Sequence, residues 1–381
     1  MRICHLVPNM NFGGLQAIVR ELAIAQRQAG HDVTVACWTN ISNNSATELQ
    51  LSEAGVRLEY LRRGAGGKKI AGKKYLFLKL RRFLRDENIE IVHAHNPFYH
   101  YLYAALATAS LRRPKLVETL HATVMFDVKQ KWKPVFLLSS MLSDCVVFVC
   151  QESQEQIVRR FRLPRAKVTA IENGIDLAPY LAVRPRHPRE EVVIGAVGRL
   201  APEKNHLLLL QAVSKLLPRY ANVRLRLLGS GELEHDLRSA AEALGIAKAV
   251  EFCGFSNDVA SFLSSLDLFA LPSNSEAMPL TLIEAVASGL PVVATQVGSV
   301  PRFVDITQSG WTAPPGDLQG FTKALESAIV SSDLAQIGEQ ARARVSQHYS
   351  TARMAADYQA LYSRLLGTPA PAAHAVATHG S

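Results

Sequence analysis

The chain has 381 residues, a formal net charge of +9, 48% hydrophobic residues and 20% charged residues. This composition is typical of a soluble globular protein of two or three domains, and it excludes a disordered, collagen-like or disulfide-stapled chain. No apolar stretch approaches the about 18 residues of a membrane-spanning helix, and residues 1–10 predict a buried strand rather than a signal peptide. The five scattered cysteines predict buried thiols in a reducing, cytoplasmic compartment.

The positive charge is concentrated in the first half of the chain. Residues 1–172 contain 25 Lys+Arg and 14 Asp+Glu, a balance of +11, whereas the remainder is at −2. This asymmetry predicts an anionic partner for the first half, either nucleic acid, an anionic membrane or an acidic substrate.

Short apolar runs bounded by Gly, Pro, Asn or Ser predict buried strands in both halves. Those of the first half are Arg2–Val7, Asp32–Ala36, Ile91–His95, Leu116–Leu120 and Cys145–Val149. Those of the second half are Glu191–Val197, Val223–Leu228, Val250–Cys253, Leu268–Ala270 and Val292–Thr295. Helical periodicity separates them, at Leu15–Ala29, Lys73–Arg85, Asn205–Leu217, Glu232–Leu244, Val259–Leu266 and Leu280–Ser288. This alternation predicts two doubly wound α/β units with parallel sheets.

The domain boundaries follow from the same pattern. We expect a first domain at 1–177, a Pro-rich linker at 178–189 and a second domain at 190–350. A helix at 351–366, expected to return to the first domain, and a loose Pro- and Ala-rich tail at 367–381 complete the chain.

Candidate ligand residues follow the strands, because ligands of open parallel sheets bind at the carboxyl ends of the strands. Gly13-Gly14 follows the first strand, where a plain tight turn is the alternative, and no GxGxxG fingerprint is present. His121 follows another strand, where a structural role is the alternative. Arg199 and Lys204 flank a loop at a helix start, a geometry suited to a diphosphate, although single cations are often merely solvated.

Further candidates lie after the later strands of the second half. Gly229 and Gly231 permit close approach of the backbone or simply turn the chain. Glu276 lies in a polar loop, and Glu284 lies in the apolar helix that begins near Leu280. Because an unpaired buried carboxylate is costly, Glu284 needs either a cationic partner or ligand hydroxyls.

In this order, the motifs resemble the family 4 retaining glycosyltransferases, which have the GT-B fold of two Rossmann-like domains facing a central cleft. The matching segments span nearly the whole chain and are Gly13-Gly14, the His121 segment, Glu172–Asp176, Gly198–Asn205, Gly229–Leu233 and the E-x7-E pair Glu276 and Glu284.

The resemblance implies a role for each motif. Glu276, His121, Arg199 and Lys204 form the catalytic set: Glu276 holds hydroxyls of the donor sugar, His121 lines the sugar site, and the two cations bind the donor diphosphate. Glu284 holds the ribose hydroxyls. The other implied donor contacts are Gly13, Gly14, Gly229, Gly231, Phe255, Met278, Pro279 and Leu280. No metal or other cofactor is expected, and the chain contains no DxD motif.

The implied activity is transfer of a sugar from a UDP- or GDP-sugar to a glycan or lipid-linked acceptor, in bacterial surface polysaccharide or lipopolysaccharide synthesis. One alternative is an inverting transferase or a sugar-nucleotide epimerase of the same fold, with His93, His95 or His121 as a conceivable base. The other is a non-enzymatic module that binds nucleic acid through its basic half. The chain lacks a recognised nucleic-acid-binding pattern, so we expect no nucleic-acid partner.

The segment Lys68–Arg85 is rich in cations and contains no acidic residue. Helical spacing predicts that Leu76, Leu80 and Phe83 form a stripe packed on the first sheet. We expect Lys68, Lys69, Lys73 and Lys74 to contact an anionic membrane surface, as in a peripheral enzyme at the inner face of the cytoplasmic membrane. The alternative is that these cations are only solvated.

Overall fold

The computed structural model describes residues 1–11, 13–38, 45–61, 73–95, 98–109, 114–121, 133–183 and 191–369. The chain forms two compact units. The first comprises Met1–Gly174 and the segment that begins at Thr351, and the second comprises Ile175–Ser350. The boundary thus lies three residues before the expected end of the first domain at 177.

The first unit is built on a seven-stranded parallel sheet of order β3-β2-β1-β4-β5-β6-β7. Its strands are β1 (Arg2–Val7), β2 (Asp32–Cys37), β3 (Arg57–Tyr60), β4 (Ile91–His95), β5 (Lys115–Leu120), β6 (Cys145–Phe148) and β7 (Val168–Ala170). Its helices are α1 (Gly14–Gln28), α2 (Ser45–Glu53), α3 (Lys73–Asp86), α4 (Phe98–Ala109), α5 (Lys133–Leu142), α6 (Gln151–Phe161) and the C-terminal α15 (Thr351–Leu366).

The second unit contains a six-stranded parallel sheet of order β10-β9-β8-β11-β12-β13. Its strands are β8 (Val192–Val197), β9 (Val223–Leu228), β10 (Val250–Gly254), β11 (Leu268–Leu271), β12 (Val292–Thr295) and β13 (Gly310–Ala313). Its helices are α7 (Ala178–Ala182), α8 (His206–Leu216), α9 (Glu234–Ala243), α10 (Val259–Ser264), α11 (Leu280–Ala287), α12 (Val300–Thr307), α13 (Leu318–Ile329) and α14 (Leu334–His348). The prediction of two doubly wound parallel sheets is confirmed.

The expected linker differs from the observed structure at its start. Ala178–Ala182 forms the short helix α7, which packs against α11 in the second unit. Pro179 is compatible with this helix because it lies in the first turn, where no backbone N–H is needed. The rest of the expected linker, at 184–190, lies outside the described residues, as does the tail at 370–381.

The last helix, α15, belongs to the first unit and packs against α1. It buries Met354, Tyr358 and Tyr362. Arg353 donates from Nη2 to the carbonyl oxygen of Glu172 at 2.8 Å, which ties the start of α15 to the end of the preceding segment of the same unit.

Helix α3 carries the predicted apolar stripe. Leu76 and Leu80 are buried in the core of the first unit, and Phe83 packs against it half-buried. Three of its cations are engaged in ion pairs, since Lys79 Nζ lies 3.2 Å from a Glu59 carboxylate oxygen and both Arg82 and Arg85 pair with Asp86. The expected membrane residues lie outside the described structure, because Lys68 and Lys69 are not described, nor are the side chains of Lys73 and Lys74. Within the described ranges, every helix is too short or too polar to cross a bilayer.

Candidate functional site

The candidate site of the second unit lies where the connections of its sheet diverge. Strands β8 and β11 are neighbours in the sheet, with Leu268 opposite Ile194, yet the chain leaves them in opposite directions, to β9 and to β12. The loops at their carboxyl ends therefore separate and leave a crevice, which is the usual ligand position in a doubly wound sheet. These loops carry Lys204 and Glu276.

Lys204 and Glu276 form a direct ion pair. The Lys204 Nζ lies 2.6 Å from Glu276 Oε1, and the Ser273 hydroxyl donates to the same oxygen at 2.8 Å. Both side chains are largely enclosed, at 23% exposed for Lys204 and 11% for Glu276. A charge-assisted pair with this degree of enclosure fixes both groups, since neither regains full hydration by moving away.

Hydrogen bonds between the two loops hold this pair in place. Asn205 adopts a left-handed conformation with φ +47°, which asparagine tolerates better than most residues, and α8 begins at the next residue. The Asn205 amide donates to Asn274 Oδ1 at 3.0 Å. The backbone N–H of Asn274 donates to the carbonyl of Glu203 at 2.8 Å.

Arg199 lies on the same loop but is more exposed. Its guanidinium is 60% exposed and pairs with Glu203 and, at 3.6 Å, with Glu232. The structure therefore places both predicted cations at the end of β8, and each is engaged by a carboxylate. An anionic ligand would compete with Glu203 and Glu232 for the exposed Arg199 guanidinium.

The glycines after β9 have a packing role of their own. A Cβ added at Gly229, which has φ +144°, would lie 1.9 Å from the carbonyl oxygen of Gly198. A Cβ at Gly231 would lie 2.3 Å from the carbonyl oxygen of Leu200. Both glycines are required for the close contact between the loop after β9 and the loop after β8. A side chain at either position would change the conformation of the loop after β8.

Helix α11 begins at the carboxyl end of β11. Pro279 occupies the position before the helix without capping it by a side chain, Met278 and Pro279 are buried, and Leu280 is the first helical residue. Unsatisfied N–H groups at such a start favour an anion. One turn further, Glu284 is half-buried, and burial raises the pKa of its carboxyl to about 7, while the Tyr180 hydroxyl opposes this shift.

Tyr180 is a neighbour of Glu284 that sequence reasoning missed. The alternatives considered for Glu284 were a cation and ligand hydroxyls, whereas the group that contacts it in the structure is a phenol on α7. The signal was hidden because the segment of α7 reads as a proline-rich linker. Phe255 follows β10 and is 57% exposed, so a planar ligand group can stack on its ring.

The remaining predicted residues lie in the first unit. Gly13 precedes α1 with φ +155° and Gly14 is its first residue, so the Gly-Gly pair does form the turn into a helix. A Cβ at Gly13 would lie 2.6 Å from the Gln16 side-chain oxygen. His121 follows β5, and its Nε2 lies 3.0 Å from His95 Nδ1.

His93 and His95, considered as possible bases, are fully buried. Burial lowers the pKa of both imidazoles well below the usual range and lowers that of His121 to about 4. Ring nitrogens of His5, His93 and His95 lie within 4.8 Å of one another, as in some metal sites. Each ring nitrogen of these three residues already has a hydrogen-bond partner in the protein, however, so the cluster is a hydrogen-bonded network.

The Lys204–Glu276 pair is expected to contribute measurably to stability. In a double-mutant cycle with Lys204→Met and Glu276→Gln, we expect a coupling energy of about 1–2 kcal/mol in the free energy of unfolding, because the pair is largely enclosed. Denaturant unfolding of the four proteins measures it. The matched control is Arg199→Met with Glu203→Gln, an exposed pair expected to couple by less than about 0.5 kcal/mol. Equal coupling in both cycles would contradict the assignment of a fixed pair.

Comparison with known proteins identifies both units. The family described as Glycosyltransferase Family 4 matches residues 12–179, and the family described as Glycosyl transferases group 1 matches residues 182–344. The protein named as the colanic acid biosynthesis glycosyltransferase WcaL of Escherichia coli K12 is 29% identical over 203 residues, 51% of this chain, and the chain spans about half the length of that relative (50%).

A second relative and a solved structure match more of the chain. An Escherichia coli UDP-Gal:alpha-D-GlcNAc-diphosphoundecaprenol alpha-1,3-galactosyltransferase is 26% identical, covering 65% of this chain and 68% of that protein. The crystal structure of Anabaena HepE in complex with UDP is similar with a TM-score of 0.80 at 21% identity, covering 96% of this chain and 100% of that one. The chain therefore belongs to the family 4 glycosyltransferases, with a group 1 glycosyl transferase domain as its second half, and it has the GT-B fold.

Proposed function

We infer that the protein transfers a sugar, with retention of anomeric configuration, from a nucleoside diphosphate sugar to a glycan or lipid-linked acceptor. The observation that carries this proposal is the enclosed pair of Lys204 and Glu276 at the carboxyl ends of β8 and β11, beside the start of α11. This arrangement offers a cation, a carboxylate and unsatisfied backbone N–H groups in one crevice.

Each group suits one part of such a donor. Cleavage of the bond between sugar and phosphate leaves negative charge on the departing diphosphate, which Lys204, Arg199 and the N–H groups at the start of α11 can stabilise. Glu276 is fixed by Lys204 and Ser273 and can accept hydrogen bonds from sugar hydroxyls. Glu284 can accept from ribose hydroxyls, and the exposed ring of Phe255 can stack on the base.

The histidines favour retention over inversion. An inverting enzyme needs a general base that reaches the acceptor. His93 and His95 are fully buried, and His121, with a pKa of about 4, is a weak base at neutral pH. We infer instead that the leaving phosphate accepts the proton of the acceptor hydroxyl in a front-face substitution. Because Arg199 and Lys204 supply the positive charge, the reaction should need no metal ion.

The names of similar proteins support the substrate classes. The HepE structure contains UDP, and the Escherichia coli galactosyltransferase is named for a UDP-sugar and a lipid-diphosphate acceptor. A UDP- or GDP-sugar as donor, and an acceptor of surface polysaccharide or lipopolysaccharide synthesis at the cytoplasmic face of the membrane, fit this chain best.

Substitutions of the two carboxylates, Glu276 and Glu284, should affect different kinetic constants. Glu276→Gln should lower kcat for donor hydrolysis at least about a hundredfold, because it removes a charge that touches the reacting sugar. Glu284→Gln should mainly raise KM, by about tenfold, because it weakens ribose binding. The assay screens UDP-, GDP- and ADP-sugars with EDTA present and determines the anomeric configuration of the transferred product. Activity that requires an added divalent ion, an inverted product, or wild-type kinetics in both folded variants would contradict the proposal.

Glu284 also predicts a pH dependence of binding. Its folded-state pKa is raised from 4.5 to about 7, and only the ionised carboxylate accepts from both ribose hydroxyls. Nucleotide affinity should therefore rise about five- to tenfold as pH increases through 7. Titration calorimetry with UDP or GDP measures this, and Glu284→Gln is the control because the ligand's own ionisation affects both proteins equally. The same pH profile in the variant would rule out Glu284 as the cause.

The same group affects the stability of the free protein with the opposite sign. Because the folded state holds the Glu284 proton more tightly than the unfolded chain, its contribution to stability is fully present below about pH 4.5 and is lost as pH rises through 7. Ligand binding and stability should thus respond to pH in opposite directions across this window.

A membrane contact is part of the proposal. The acceptor lies in a bilayer, and Lys68, Lys69, Lys73 and Lys74 precede or begin α3, a helix whose buried stripe leaves its other side to cations. Vesicle sedimentation should show salt-sensitive binding to anionic lipid and little binding to neutral lipid. Replacing the four lysines with Ser should abolish binding and preserve donor hydrolysis.

The matched control for the lysines removes four exposed cations elsewhere on the same unit: Arg159, Arg160, Arg162 and Arg165. Replacing these four arginines with Ser should change vesicle binding by less than about twofold relative to the wild-type protein. If both quadruple variants lose binding equally, net charge is responsible and the lysine surface is not a specific contact.

A further inference from the structure

The first unit contains a buried chain of imidazoles that ends at His121. From the interior outward, Gln26 Oε1 lies 2.8 Å from His5 Nε2, and His5 Nδ1 lies 3.0 Å from His95 Nε2. His95 Nδ1 then lies 3.0 Å from His121 Nε2. Gln26 is on α1, His5 on β1 and His95 on β4, and all three are buried, whereas His121 at the end of β5 is half-buried.

The interior end of this series of imidazoles sets the direction in which its hydrogen bonds donate. With the Gln26 amide oriented so that its carbonyl oxygen faces His5, that oxygen can only accept, so His5 carries its proton on Nε2. In neutral imidazole the other nitrogen is then an acceptor, so His95 donates from Nε2 to His5 Nδ1. By the same step, His121 donates from Nε2 to His95 Nδ1. This order of donors and acceptors leaves His121 Nδ1 without a proton.

A second branch of hydrogen bonds runs through Tyr362, His93 and Thr119. Gln26 also lies beside the Tyr362 hydroxyl, whose oxygen is 2.6 Å from His93 Nδ1. His93 Nε2 lies 2.6 Å from the Thr119 hydroxyl. In this orientation of the amide, the Gln26 Nε2 is buried and has no acceptor within hydrogen-bond geometry among the described residues, so the direction of the hydrogen bonds follows from the placement of Oε1 against His5 alone.

All four histidines are neutral in this setting. Burial lowers the pKa of His5 and His121 to about 4 and holds the pKa of His93 and His95 well below the usual value of an imidazole. A neutral chain has a defined proton order, because each imidazole donates once and accepts once.

We propose that Gln26, His5 and His95 are positioning residues that hold His121 as the Nε2-protonated tautomer, so that its Nδ1 accepts a hydrogen bond from a hydroxyl of the donor sugar. The role toward the sugar rests on the proposed function, whereas the tautomer does not. A lone pair at this position favours a donor sugar that presents a hydroxyl to it and disfavours one that presents a carboxylate there, because a carboxylate can only accept.

The direct test is imidazole nitrogen NMR of the ligand-free protein labelled with ¹⁵N-histidine, with His121 assigned by the signal missing in His121→Gln. Correlations between ring protons and nitrogens show which nitrogen carries the proton. We expect His121 protonated on Nε2 from pH 6 to pH 8. A proton on Nδ1 in the wild-type protein would overturn the proposal, without reference to any variant or activity.

A pair of variants tests the chain itself. Gln26→Met keeps the length of the side chain and removes the acceptor, so His121 should become a mixture of tautomers and donor hydrolysis should fall about tenfold. Thr119→Val is the matched control: it is equally buried and removes hydrogen bonds to His93 and Tyr358, neither of which joins Gln26 to His121, so the His121 tautomer should not change. An unchanged His121 tautomer in folded Gln26→Met, or an equal change in both variants, would contradict the chain.

The two proposals fail separately. If His121 has the expected tautomer but no nucleoside diphosphate sugar is hydrolysed, the proposed function is wrong and the chain stands. If donors are hydrolysed and His121 carries its proton on Nδ1, the transferase stands and the positioning role of Gln26, His5 and His95 is wrong.

Discussion

The ion pair between Lys204 and Glu276 depends on the pairing of two strands that are distant in sequence. The two residues are 72 positions apart, and they meet because β8 and β11 are neighbours whose carboxyl ends lie at the same edge of the sheet. Glycine at position 195 is part of this arrangement, since a Cβ there would lie 2.2 Å from the Leu266 side chain. The start of α11, and hence Glu284, is positioned by the same loop.

The first unit follows the same topology but uses it differently. Alternate positions of its central strands carry His5, His93, His95 and Thr119, all buried on one face. Buried polar groups need partners, and helices α1 and α15 supply them through Gln26, Tyr358 and Tyr362. The return of the C-terminal helix to the first unit is therefore coupled to satisfying this polar layer, as well as to burying apolar surface.

Sequence patterns predicted the central strands and missed strands at the edges. The strands β1, β4, β9 and β12 are predicted with the observed bounds, because each lies inside its sheet and is mainly apolar. The missed strands β3, β7 and β13 are edge strands with half-exposed residues, so their sequences lack such a run. An apolar run in the sequence detects a strand that is covered on both faces of its sheet. A strand at the edge of a sheet is covered less completely, so it lacks such a run.

The candidate site divides in a similar way. Lys204, Glu276 and Glu284 could be found as polar residues after strands or within an apolar helix. Their partners could not, because Lys204 meets Glu276, and Tyr180 meets Glu284, only through packing between elements. His5 gave no signal, since a single histidine in an apolar strand resembles a structural residue until its contacts to His95 and Gln26 are known.

In the proposed function, the loops at the carboxyl ends of the second sheet bind the nucleoside diphosphate part of a donor. Hydrogen–deuterium exchange with and without saturating UDP or GDP tests it most directly, because it reports on each backbone segment. We expect slower exchange in residues 198–205, 229–233 and 276–287 when the nucleotide is bound. Nucleotide binding with unchanged exchange in all three segments, and protection confined to residues 73–86 of the basic helix, would contradict it.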